Sequence, residues 1–194
     1  MMIGEAPGEQ EDRQGLPFVG KAGAILSALI RQELGPLGWS RGDIYLTNLV
    51  KERPPGNRDP LPEEIARDAP ELEAEIGACE PRLVVTLGRF STRYFLGPDA
   101  DMETVHGMVW ESERGLKVFP IVHPAAGLHS PEMYALTAFG FENLARYLDG
   151  EDEDRFGGPL EAPMDLCPRP DYREVCEADT FQHPRPTGLD TEGD

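Results

Sequence analysis

Residues 3–23, IGEAPGEQEDRQGLPFVGKAG, constrain what the rest of the chain can build. Gly4, Gly8, Gly15, Gly20 and Gly23, with Pro7 and Pro17 among them, mark backbone that turns sharply or lies close against another molecule. The apolar residues just before read as the stub of a strand, and AILSALI at 24–30 has helical spacing. Strand, glycine-rich loop and helix N-terminus together make a cradle for an anion or polar ligand. An ordinary strand-to-helix connection takes about 2–6 residues, whereas a loop of roughly 18 with a lone aromatic, Phe18, reads as a binding loop that exposes that ring.

Downstream, strands and helices alternate. A helix over residues 24–32 stops near Gly35 and Pro36. The continuous apolar run IYLTNLV at 44–50 predicts a buried parallel strand. Asn48 interrupts it near its C-terminal end, and an amide there must be satisfied or face a ligand. A proline-rich loop, KERPPGNRDPLP at 51–62, carries Lys51, Arg53 and Arg58. Ile65, Ala69, Leu72 and Ile76 then share one face of a helix over 63–76 that has acids in its first turn. RLVVTLG at 82–88 predicts a second buried strand, and 90–96 a helix. Two further strands are predicted at 105–110 and 116–122, the latter running into His123 and Pro124, and a last helix at 131–148. The alternation predicts an α/β fold, a three-layer α/β/α sandwich with a mostly parallel central sheet. Gly4, Asn48 and His123 then fall at strand C-termini, where open α/β sheets bind their ligands, so they are expected to form one site.

Charge narrows the partners. The chain carries 36 acidic and 18 basic residues, a net −18, which argues against a generic nucleic-acid binder with its usual basic patch. Half of that excess lies in residues 151–194, where the acidic run Glu151-Asp152-Glu153-Asp154 and prolines from Pro159 to Pro186 leave too little apolar surface to fold alone. The expected organisation is one body, residues 1–149, and an acidic, proline-rich linker or disordered tail, 150–194. The closing GLDTEGD is similar to the first metal-binding motif of DnaQ-like 3′–5′ exonucleases, a pattern short enough to arise by chance. No run approaches the roughly 18 apolar residues of a membrane span, and no basic or apolar leader opens the chain. A cytoplasmic monomer that meets no membrane is expected. Cys79, Cys167 and Cys176 form neither a CxxC pair nor zinc-ligand spacing. Cys79, beside a buried-looking strand, is expected to be a small core residue.

Five motifs occur in order: GEAPGEQEDRQGLPFVGKAG, LTNLVK, RPPGNRDP, VVTLGRF and a His-Pro after a strand. Together they resemble a family-4 uracil-DNA glycosylase across residues 3–148. The resemblance implies the three-layer fold and hydrolysis of the N-glycosidic bond of deoxyuridine in DNA, which leaves an abasic site for base excision repair. Uracil-containing DNA is the implied partner. Such an enzyme flips its target base out of the stack and reads the Watson–Crick edge. Asn48 matches the family's uracil-reading amide, which donates to O4 and accepts from N3–H. Phe18 matches the stacking aromatic. His123 matches the donor that stabilises charge on O2 of the leaving uracil. Glu5 and Glu11 match positions implicated in handling the water or the sugar cation. Ala6, in the implied uracil-binding set, stands where family-1 enzymes carry an Asp, which leaves Glu5 as the polar participant. Lys51, Arg53 and Arg58 are the expected DNA contacts, with Leu128 as a wedge into the duplex gap. No cofactor takes part in the cleavage.

Three departures from the family pattern bear on these expectations. Family-4 enzymes usually hold a 4Fe–4S cluster on four cysteines, one pair upstream of the opening motif and one around the proline-rich loop. The first pair is absent from this chain, and the second falls at Glu52 and Asp68. Cluster ligation needs thiolates, so no cluster is expected. The family's His-Pro-Ser is His123-Pro124-Ala125 here, which removes a hydroxyl from the phosphate contacts. The first strand is also cut to a stub. The competing reading is a non-catalytic glycosylase-like module of a larger repair or replication protein, fused to an exonuclease-like domain. A covalent uracil-trapping relative would carry a Lys-Arg-Arg-Ile-His insert after the Asn strand, and this chain has none. A nucleotide-binding protein would need GxxxxGK[ST] or a strict GxGxxG, also absent.

Overall fold

Short apolar runs supply the parallel part of a five-stranded sheet, seen in a computed structural model that describes residues 1–150. The strands are β1 (Met2–Gly4), β2 (Leu46–Asn48), β3 (Val84–Leu87), β4 (Trp110–Glu111) and β5 (Lys117–Ile121), in the spatial order β2-β1-β3-β5-β4. All pairings are parallel except the antiparallel β4–β5 edge. In the β1–β2 register Gly4 lies opposite Asn48.

The helices are α1 (Glu9–Gln14), α2 (Lys21–Leu29), α3 (Pro62–Cys79), α4 (Arg89–Leu96), α5 (Met102–Val105) and α6 (Pro131–Leu148). Successive strand residues point to opposite faces, and two cores result. Met2, Val85, Leu87, Phe119 and Ile121 face Ile25, Leu26 and Leu29 of α2 with Phe141 and Leu144 of α6. Ile3, Val84 and Val118 face the other way, against Leu72 and Ile76 of α3 and Phe95 of α4. These are the expected three layers. Helix ends follow local chemistry: Pro62 opens α3, whose Glu64 accepts from the Leu61 N–H at 2.8 Å, and the Ser130 hydroxyl caps α6 by accepting from the Met133 N–H.

Several expectations need correction. The long opening loop contains α1, whose acids sit in the first turn and whose end is closed by Gly15 in the left-handed region, φ 67°. None of its residues is buried, so it carries no apolar periodicity to reveal it. Helix α2 begins at Lys21 rather than 24 and continues through a π turn, Ile30–Leu34. The strand expected at 105–110 is not one. Val105 ends α5, Gly107 turns with φ 71° and donates its N–H to the Pro120 carbonyl, and only Trp110–Glu111 pairs. The His106 ring fills the core there, accepting at Nδ1 from the Val122 N–H and donating from Nε2 to the Leu136 carbonyl. Cys79 is exposed rather than in the core, because it lies at the outer end of α3. The expectations for residues 151–194, including the exonuclease-like motif, lie outside the described residues.

Candidate active site

The site starts from a missing side chain. A Cβ on Gly4 would lie 2.4 Å from Asn48 Oδ1 and 2.5 Å from Phe18 Cζ. The Asn48 amide and the Phe18 ring therefore converge over the same point at the end of β1. Asn48 is 7% exposed and Phe18 6% exposed. Phe18 does not stand out in solvent as its loop position suggested. Its backbone is left-handed, φ 54°, a conformation that costs a non-glycine residue about 1–2 kcal/mol. That turn swings the ring inward, where it stacks on His123 with ring centroids 6.1 Å apart and planes 28° apart.

A second missing side chain separates Glu5 from His123. Gly88, φ 99°, follows β3, and a Cβ there would meet Glu5 Oε1 at 2.3 Å and His123 Cβ at 3.1 Å. Glu5 Oε1 accepts from the Phe90 N–H in the first turn of α4 at 3.2 Å. Burial pushes the Glu5 carboxyl above its ordinary pKa, outweighing that hydrogen bond and the nearby Arg89 guanidinium. Burial also pushes His123 down to about 4, against a smaller upward pull from Glu11. The Ala125 N–H donates to His123 Nδ1 at 3.1 Å. A neutral ring with Nδ1 accepting carries its hydrogen on Nε2, so His123 offers an uncharged N–H donor. Glu11 Oε1 accepts from the Gly20 N–H at 2.7 Å, and Gly8 leaves room for its other oxygen. Glu11 thus ties α1 to the start of α2.

The remaining predicted residues surround this centre. Ala6 is partly buried and packs on the α3-side core. Lys51 Nζ is held by Glu75 at 2.6 Å and by Thr47 Oγ1 at 2.8 Å. Arg58 makes a paired contact with Glu64, and Arg53 Nε donates to Asn57 Oδ1. Leu128, at the end of a 3₁₀ turn (Pro124–Leu128), packs partly buried against the α2-side core.

Glu52 and Asp68 do come together, through Arg67. Its guanidinium lies 2.8 Å from Glu52 Oε2 and 2.6 Å from Asp68 Oδ1, and Asp68 Oδ2 accepts from the Lys51 N–H at 2.7 Å. Two carboxylates already bridged by a cation do not fit a thiolate-ligated cluster.

Three contributors escaped the sequence reading. Gly88 closes a strand and looked like punctuation, although its place between two acid–base groups requires glycine. Leu16 lines the hollow beside the site and is 58% exposed. Arg41 reaches the Phe18 backbone from a separate turn, with no local signal to mark it.

Among the described residues, hollows open at both ends of the strands. One of 360 Å³ is lined by Glu11, Pro17, Thr47, Asn48, Lys51 and Glu75 and adjoins the site. One of 1020 Å³ lies at the opposite, N-terminal strand ends, lined by Met1, Trp39, Cys79 and Leu83, and contains none of the site residues. The chemistry sits at the C-terminal strand ends, where α/β sheets bind ligands.

Sequence comparison shows what the chain is similar to. The family model for the uracil DNA glycosylase superfamily matches residues 1–148. The type-4 uracil-DNA glycosylase of Sulfurisphaera tokodaii is 40% identical over 151 residues, covering 74% of this chain and 67% of that protein. That of Saccharolobus solfataricus is 42% identical over 159 residues, covering 78% of this chain and 72% of its own length. A DNA polymerase of Bacillus phage SP01 is 32% identical over 152 residues, 78% of this chain but 16% of the polymerase. A match that runs the length of the sheet, on a pocket built at that sheet's strand ends, makes this chain a member of the uracil DNA glycosylase superfamily.

Proposed function

We infer that the chain is a uracil-DNA glycosylase, which hydrolyses the N-glycosidic bond of deoxyuridine in DNA and leaves an abasic site. The observation that carries this reading is the convergence of Asn48, Phe18, His123 and Glu5 around two positions where no Cβ fits, Gly4 and Gly88. The type-4 relatives, named as uracil-DNA glycosylases, support the same reading. The non-catalytic alternative is not favoured, since the type-4 relatives are named as uracil-DNA glycosylases.

The roles follow from the chemistry. The flipped uracil stacks on Phe18. The Asn48 amide donates to O4 and accepts from N3–H, a pattern that cytosine cannot satisfy. As the C1′–N1 bond breaks, its electron pair passes to the uracil and charge builds on O2. The His123 Nε2–H donates there, and its neutrality lets it stabilise the anion without giving up a proton. Water adds to C1′ and loses a proton to solvent, and the departed uracil anion takes one up in its place. Glu5, with its raised pKa, is suited to orient that water or shield the sugar cation. Glu11 acts beside it by fixing the loop and adding negative charge near His123. Ala6 leaves that wall apolar. Lys51, Arg53, Arg58 and Leu128 border the DNA path. No iron–sulfur cluster is proposed here, since Glu52 and Asp68 supply carboxylates where thiolates would be needed. No helix among the described residues is long and apolar enough to cross a membrane, and a cytoplasmic monomer remains the proposed setting.

Incubation of the full chain with a uracil-containing oligonucleotide, followed by alkali, tests the reading. Cleavage at the uracil position is expected. An intact strand at enzyme concentrations well above that of the DNA would refute it.

A further inference from the structure

We propose that Arg41 is a positioning residue for base stacking: it locks the left-handed turn that presents the Phe18 ring to the flipped base. The proposal rests on the glycosylase reading for what the ring does, but the lock itself is visible in the fold. Arg41 opens a 3₁₀ turn, Arg41–Asp43, fixed by a reciprocal capping box in which Asp43 Oδ2 accepts from both the N–H and the hydroxyl of Ser40. From this anchor the side chain crosses to the opening loop. One terminal nitrogen donates to the carbonyls of Pro17 at 2.8 Å and Phe18 at 2.9 Å. The other donates to the Ser27 hydroxyl at 3.2 Å, which in turn donates to the Gly23 carbonyl at 2.8 Å.

The same Phe18 carbonyl lies tight against α2. A Cβ on Gly23 would lie 1.9 Å from that oxygen, so α2 packs directly on the turn. The two consecutive carbonyls point at one guanidinium, and Phe18 holds φ 54°. A planar fork can serve several acceptors from one fixed side chain, whereas an ammonium is a point charge. Glu11, which anchors the other end of this loop through Gly20, also acts electrostatically on Arg41. Arg41 touches neither Asn48 nor His123 among the bonds described. Its effect on chemistry therefore runs through the backbone of Phe18.

The test uses the full chain with Arg41→Met and Arg41→Lys, each alone and combined with Phe18→Ala. It also reads the emission of a Phe18→Trp reporter with and without each Arg41 change. Misplacing a reacting group by about 1 Å can cost roughly a hundredfold in rate, and Arg41→Met is expected to slow single-turnover excision by that order. Arg41→Lys should fall between the two. In the Phe18→Ala background the same changes should cost less than about twofold, because there is no ring left to position. The reporter emission should shift to the red as the ring loses its buried seat. Equal losses in both backgrounds, or an unmoved reporter, would overturn the proposal and leave Arg41 as a fold support only. If Arg41→Met fails to fold, Arg41→Lys carries the same comparison. A parent chain without excision would sink the glycosylase reading, and the reporter alone would then decide whether Arg41 seats the ring.

Discussion

The pocket and the loop that follows β2 are both rich in polar groups, yet they are held in opposite ways. In the pocket, side chains are spaced by atoms that are missing: Gly4 leaves room for the Asn48 amide and Phe18 ring, and Gly88 for Glu5 and His123. In the loop and the first turns of α3, charges hold one another, most of them at the surface and Asp68 buried. Arg58 is paired with Glu64, Arg89 with Asp59, and Arg67 bridges Glu52 and Asp68. A buried, backbone-spaced site has no slack for an added methyl. A solvated charge network loses only a little when one member goes. The chemical step is therefore expected to depend steeply on the first region and weakly on the second.

The largest expected effect breaks the pocket by one carbon. Gly4→Ala should reduce single-turnover excision by about a hundredfold or more, because the new Cβ displaces both Asn48 and Phe18. Its stability cost should stay near the 1–3 kcal/mol typical of overpacking. Near-parent rates would mean that the two groups do not share this space in the active enzyme.

Protonation tests the same region more gently. Burial depresses His123, to about 4, and His106 below their ordinary values. The unfolded chain then takes up protons near about pH 6.5 while the folded chain does not. The stabilising contribution of these two rings is complete above that pH and is lost as pH falls below it, for His123 toward about 4. Glu5 works in the opposite sense, its raised pKa favouring the fold at low pH. With two rings against one carboxyl, the thermal midpoint should drop between about pH 7 and pH 5, and His106→Gln should shrink the drop. A flat midpoint in the parent would contradict the burial of both rings.

The loop should respond less. Arg67→Ala removes the bridge between Glu52 and Asp68 and leaves the buried Asp68 carboxylate to the backbone N–H groups of Lys51 and Glu52, so a loss of about 1–3 kcal/mol in stability is expected. Excision should stay within about twofold of the parent, as for surface changes away from a site. A hundredfold loss of excision would show that the loop shapes the pocket after all.

The smallest effect concerns residues 151–194. Their net charge of −9 could compete with DNA for the loop cations, but Lys51 and Arg58 are already engaged with Glu75 and Glu64. Deleting that segment should tighten DNA binding at low salt by less than about threefold, with the gain fading as salt rises. Weaker binding after deletion would reverse the sign of the idea.

How much of this could be read from the sequence depended on the kind of signal. Continuous apolar runs located β2, β3 and β5, and the glycine-rich motif located the site, because both write their demands into neighbouring residues. Gly4, Asn48 and His123 were legible for that reason. Helix α1 was not, since a solvated one-and-a-half-turn helix has no apolar face to declare it. The run at 105–110 looked like a strand because its apolar residues serve the core from a turn around His106. Phe18 was found but placed in solvent, since only its left-handed backbone and the distant Arg41 turn it inward. That contact spans 23 positions, and nothing local to Arg41 encodes it.

The most direct measurement compares the parent with Asn48→Asp on one uracil-containing oligonucleotide under single-turnover conditions. A carboxylate at this position cannot donate to O4, and it repels the uracil anion as the bond breaks. The expected result is excision by the parent and a fall of about a hundredfold to a thousandfold in the variant, the range for losing one preorganised donor. Excision by Asn48→Asp within about threefold of the parent, on the same scale, would contradict the assignment of uracil recognition to the pocket at the ends of β1 and β2.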